Sequence, residues 1–91
     1  MQTVWKYELF HCRNILSLPK GAKSLSVHSQ GDNKMYLWAM ADPEHPTEPR
    51  KFMVIPTGGE VPPDGQYIGT IYLDSGRFVF HVFEFGFLDK P

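Results

Sequence analysis

The sequence predicts an all-β protein, a small single-domain barrel or sandwich of about seven mostly antiparallel strands joined by hairpins. Three observations carry that expectation. Apolar residues recur every second position in several short stretches, as half-buried strands require. Clusters rich in glycine and proline separate those stretches. No window keeps apolar residues at three- and four-residue spacing without a proline, a glycine or a two-residue alternation breaking it, so no helix is signalled.

From the start, Thr3 to Phe10 alternates, with Trp5, Tyr7 and Leu9 on one side and Lys6 and Glu8 on the other; this predicts a strand with Trp5 in the core. Ile15 to Leu18 is a short second strand, ended by Pro19-Lys20-Gly21-Ala22, where proline fixes φ and glycine permits a positive one. Lys23 to Ser29 is expected to turn Leu25 and Val27 inward and Ser24, Ser26 and His28 outward, with a turn at Gln30-Gly31-Asp32-Asn33. Lys34 to Asp42 is apolar on both sides: Met35, Leu37, Ala39 and Ala41 on one face, Tyr36, Trp38 and Met40 on the other. Asp42 to Pro49, with three prolines, reads as an exposed loop, and Lys51 to Ile55 as the next strand. Pro56 to Gly65 holds three glycines and three prolines and reads as a second long loop.

The last element is a hairpin, Gln66–Asp74 and Arg77–Phe85 around Ser75-Gly76, and neither of its faces is polar. With a two-residue turn, Leu73 faces Phe78, Tyr72 faces Val79, Ile71 faces Phe80, Thr70 faces His81 and Ile68 faces Phe83. One face, containing Leu73, Phe78, Ile71, Phe80, Gly69 and Val82, is then pure core. The other, containing Thr70, Tyr72, His81 and Phe83, is apolar in bulk but carries hydroxyls and an imidazole. A strand pair with no wet side has to be covered twice. No helix is available to do it, so the excess apolar face and that of Tyr36, Trp38 and Met40 are expected to meet each other or a second copy of the chain.

Composition narrows the function. The chain has 91 residues, one domain over 1–91, with 9 basic and 10 acidic residues and a net charge of −1; no basic run exceeds Arg50-Lys51, so no nucleic-acid partner is expected. The one cysteine, Cys12, excludes an intramolecular disulfide and fits a reducing compartment. No stretch approaches the ~18 apolar residues of a membrane helix, and no signal peptide is visible, so a cytoplasmic protein without membrane contact is expected.

Chemistry is thinly signalled. The nearest spacing among His11, His28, His45 and His81 is seventeen residues, outside the spacings of metal-binding histidine pairs, so neither a metal nor a cofactor is expected. Ser75 reads as turn chemistry, the carboxylates lie unpaired in loops, and Thr57-Gly58-Gly59-Glu60 lacks the lysine and following helix of a phosphate loop. No catalytic residues are assigned and no enzyme activity is expected. The candidate ligand or interface residues are Tyr36, Trp38, Met40, Thr70, Tyr72, His81 and Phe83, with Arg50 and Arg77 for polar contacts.

Trp5-Lys6-Tyr7-Glu8-Leu9, Leu18-Pro19-Lys20-Gly21-Ala22, Leu37-Trp38-Ala39 with Asp42-Pro43, Tyr67-Ile68-Gly69-Thr70 and Phe80-His81-Val82-Phe83-Glu84 follow one another in an order that resembles a family of short phage and prophage proteins of unknown function. The resemblance implies work in the host bacterial cytoplasm and supplies no active site. Where relatives carry a turn ending in histidine, this chain has Thr57-Gly58-Gly59-Glu60. The expected function is a homo-oligomeric binding protein, an accessory or counter-defence factor that blocks a host protein. The alternatives are a protein sequestering a small nucleotide-like ligand between subunits, and a minor virion structural protein.

Overall fold

The computed structural model of the chain describes residues 1–31 and 33–87; Asp32, expected in a turn, lies outside the described residues. Seven strands are present: β1 (Thr3–Leu9), β2 (Cys12–Pro19), β3 (Lys23–Gln30), β4 (Lys34–Ala41), β5 (Thr47–Pro56), β6 (Gln66–Leu73) and β7 (Phe78–Phe87). Every pairing is antiparallel. They form a three-stranded sheet ordered β1-β4-β3 and a four-stranded sheet ordered β2-β5-β7-β6. The two do not close into a barrel; they stack in a sandwich-like arrangement with principal extents of 39 × 32 × 15 Å. Among the described residues there is no α-helix, and none is long and apolar enough to cross a membrane.

Two connections, β3–β4 and β6–β7, are hairpins. The others carry the chain from one sheet to the other or past a strand of the same sheet. Asn14 holds the first of these crossings: its buried amide accepts the Phe10 N–H at 2.8 Å and donates to the Phe10 carbonyl at 2.9 Å, satisfying backbone groups that leave β1 with no strand partner.

The core lies between the sheets. Met35, Leu37, Ala39 and Ala41 line one wall with Leu9 and Val27; Leu18, Phe52, Val54, Ile71, Leu73 and Val82 line the other. The expected alternation of β4 is therefore present, and Tyr36, Trp38 and Met40 lie on the outer side. Trp5 departs from its expected place in the core. It shares the inward side with Tyr7 and Leu9, but β1 is an edge strand, and the indole is exposed there.

The turn is wider than the two residues expected: Asp74, Ser75 and Gly76 all have positive φ (51°, 55° and 90°), Arg77 is helical, and the Arg77 N–H donates to the Asp74 carbonyl at 3.0 Å, so four residues join the strands after the Leu73–Phe78 pair. Leu73, Tyr72, Ile71 and Thr70 pair with Phe78, Val79, Phe80 and His81 as expected. Beyond Gly69 the register shifts, so that Tyr67, not Ile68, faces Phe83. A bulge at Ile68 causes the shift. A second bulge at Leu25 places Ser24 opposite Ala39 and Ser26 opposite Trp38, leaving Leu25 exposed rather than inward. At Gly69 the sheets come together: a Cβ there would lie 2.7 Å from Val27 Cγ2. Phe78, expected in the core, is half-exposed because it lies beyond the last β5 pairing, Pro56 with Phe80.

The loop expected over Asp42–Pro49 is shorter, since β5 starts at Thr47. Pro49 lies opposite Ser17 of β2 near the start of β5.

Candidate functional site

The candidate residues do not form one site. Tyr36, Trp38 and Met40 stand on the outside of the three-stranded sheet, and Thr70, Tyr72, His81 and Phe83 on the outside of the four-stranded sheet. These faces point away from one another, so the excess apolar surfaces of β4 and of the β6–β7 hairpin do not cover each other. Arg50 and Arg77 belong to neither face.

Arg77 sits at the hairpin tip, its Nε 3.8 Å from Asp74 Oδ2. Arg50 points inward near the far end of β7. Its Nε donates to Glu84 Oε2 and its Nη1 to the Ala22 carbonyl at 2.7 Å, while Ser24 Oγ donates to Glu84 Oε1 at 3.3 Å. The Arg50 and Glu84 side chains are only 12% and 11% exposed. With Lys23, Gln66 and Ile68 they line a cleft of about 410 Å³ at the rim where β3 meets β6. Both charges of this pair are satisfied within the chain, so it reads first as a polar plug in the sandwich end.

The outer face of the four-stranded sheet holds the most organised chemistry. His81 stands between two strands and is bonded through both ring nitrogens: Nε2 lies 2.9 Å from Thr57 Oγ1 and Nδ1 3.1 Å from Thr70 Oγ1. Thr70 Oγ1 is also bonded to the Tyr67 hydroxyl. The donors order themselves from one end. Thr57 gives its hydroxyl proton to the Val79 carbonyl at 3.4 Å, so its oxygen accepts from His81 Nε2–H; Nδ1 then accepts from Thr70, which accepts from Tyr67. Thr70, expected to face His81 across the strand pair, is bonded to it; Thr57 and Tyr67 join from outside that pair.

Hydrophobic groups surround the chain of hydroxyls. Tyr67 and Phe83 meet edge to face at 5.7 Å, and the Lys51 ammonium lies 5.4 Å from the Phe85 ring centroid. Part of this face is covered by the protein itself. Ile55 is buried although it lies beside His81 and outside the main core, because the β5–β6 loop folds back over it: Gly59 packs on Ile55 and Gly65 on Phe83 and Phe85, each too close for a Cβ. What stays open is aromatic with polar tips, Tyr67 at 56% and Tyr72 at 62% exposure.

On the opposite sheet, Tyr36 and Trp38 lie 6.0 Å apart and tilted, with Lys6 Nζ 4.5 Å above the Tyr36 ring. Trp38 borders an open groove of about 510 Å³ with Ser26, His28 and Gln30. His11 stacks edge-on to Phe80 at 4.9 Å and lines, with Asn33 and Phe78, a cleft of about 350 Å³ beside the hairpin tip. Among the described residues no three or more His, Cys, Asp or Glu gather as a metal site would require.

Thr57 was not legible as a partner of His81 because twenty-four residues separate them; the only signal was a threonine directly after Pro56 at a strand end. No curated protein and no solved structure matches the chain significantly. A family model matches residues 1–86, nearly the whole sequence, and the chain belongs to that family, described as a domain of unknown function, DUF7352.

Proposed function

We propose that the protein acts by binding another protein through the outer face of its four-stranded sheet, as a homo-oligomeric accessory factor rather than a catalyst. The observation that carries this is two exposed tyrosines on one strand, Tyr67 and Tyr72, the first anchored by its hydroxyl to the Thr70–His81–Thr57 chain. Aromatic groups with polar tips, fixed on strands, are the residue type that anchors protein interfaces, because they bury a large area at small entropic cost. In the setting that the resemblance to phage and prophage proteins implies, the partner is a host protein of the bacterial cytoplasm and the outcome is its blockade.

The small-ligand reading is supported by the Trp38 groove, where an indole borders polar Ser26 and His28. That groove lies on the other sheet, so the two readings separate by mutation. A photo-crosslinking residue placed at position 72 should trap a defined host protein in cells, and Tyr67→Ala with Tyr72→Ala should weaken that complex at least about tenfold, the effect of losing an interface anchor. The proposal fails if the double variant binds the trapped protein as tightly as the parent. It also fails if no protein is trapped and a nucleotide raises the melting temperature through a contact that Trp38→Ala removes.

A further inference from the structure

Four strands of the sandwich lie at sheet edges: β1 and β3 in one sheet, β2 and β6 in the other. An edge strand offers a row of unpaired backbone groups, and proteins blunt it with bulges, prolines or a covering element. β3 and β6 carry the bulges at Leu25 and Ile68 and lie against one another at Val27 and Gly69. β2 ends in Pro19 and has a single charge, Arg13, with no acid on the strand to answer it. β1 has no bulge, proline or covering element among the described residues, and its two charges, Lys6 and Glu8, are of opposite sign. Its register with β4 is unbroken from Thr3 to Leu9, and among the described residues no backbone bond other than that ladder involves Val4 to Leu9. Along it stand three of the large exposed apolar side chains, Val4 at 57%, Trp5 at 40% and Phe10 at 61%.

We infer that β1 pairs antiparallel with β1 of a second copy about a twofold axis at Tyr7, joining the two three-stranded sheets into one of six strands. The sequence of the strand selects this register. With Tyr7 opposite its own copy, Lys6 falls opposite Glu8 and Glu8 opposite Lys6, Trp5 opposite Leu9, and Val4 opposite Phe10. The neighbouring register centred on Lys6 sets two ammonium groups against each other, which is unfavourable. The Tyr7 register instead matches two ion pairs and covers all three exposed apolar groups at once. Lys6 in the single chain leans back over Tyr36 and donates to Gln30 at 2.8 Å; its long stem lets it turn to the neighbouring carboxylate. Phe10 adds only its ring, because its backbone groups are held by Asn14. This rests on the homo-oligomeric part of the proposed function and not on the host-protein face, which lies on the other sheet.

The test is the mass of the purified full chain by sedimentation equilibrium, with no other protein present. The parent should be a dimer. Lys6→Glu and Glu8→Lys each set like charges opposite one another twice per dimer and should weaken the dimer about tenfold. Two results are specific to the register: the double swap Lys6→Glu/Glu8→Lys should restore the parent affinity, and mixing the two single variants should form a dimer that neither forms well alone. Circular dichroism of each variant separates lost assembly from lost folding; where a single variant does not fold, the double swap carries the test. A parent that stays monomeric overturns the inference, as does a double swap that stays as weak as the singles. Failure to trap a host protein through position 72 leaves this result untouched.

Discussion

Tyr7 carries a hydroxyl that is buried with no hydrogen-bond partner among the described residues, on an inward-facing position of β1. Burial raises the Tyr7 pKa above its ordinary 10.0, and the positive charge of Arg50 pulls it partly back. Below pH 10.0 the phenol is protonated in both folded and unfolded chains, and its contribution to stability is whole. As pH rises further the unfolded chain releases its proton first, so stability falls until the folded value is passed. Tyr7→Phe removes an unsatisfied oxygen at no loss of ring. Chemical denaturation at neutral pH should show unchanged stability or a gain of up to ~1 kcal/mol, and the alkaline slope should become shallower. The hydroxyls of Thr57, Thr70 and Tyr67 are the opposite case, since each has found a partner around His81. A sequence shows that His81 interrupts an apolar strand and so needs partners; it shows Thr70, its cross-strand neighbour, but not Thr57, which the turn after β5 delivers.

At the scale of elements, strand alternation and turn chemistry were legible because both are local. Asp74-Ser75-Gly76 encodes a turn by itself, and β4 declares two faces by its own pattern. The bulges at Leu25 and Ile68 were not legible, because each answers a contact with the other sheet rather than anything in its own strand. Gly69 makes the point measurable. It reads as a weak spot in a strand, yet it is the place where β6 approaches Val27. Gly69→Ala should cost about 1–3 kcal/mol by overpacking, and Val27→Ala in the same chain should make the pair cost less than the sum of the two changes. Independent costs in a double-mutant cycle would refute that contact. Asn14 was missed for a related reason: a buried amide that clamps a crossing between sheets looks, in sequence, like any polar residue in a strand.

For the whole molecule, the sandwich is sealed differently at its two ends. Near the β6–β7 tip the end is open and apolar, with Phe78 and His11 at a cleft. At the other end Arg50 and Glu84 close it with charge. Glu84→Gln should cost about 3–5 kcal/mol because Arg50 is left without its counter-charge in a nearly dry place, whereas Arg50→Met/Glu84→Leu should return most of that stability. Thermal unfolding of the parent and the two variants would expose a merely superficial ion pair, for which all three would melt alike. The order of strands also has a consequence for synthesis. β1 waits for β4, complete only at Ala41, and β2 waits for β5, complete only at Pro56, so the first strands to leave the ribosome have nothing to pair with until those later strands follow. Residues 3–19 therefore spend that interval as extended, apolar-striped polypeptide, the form in which chaperones hold nascent chains and neighbouring ribosomes exchange strands.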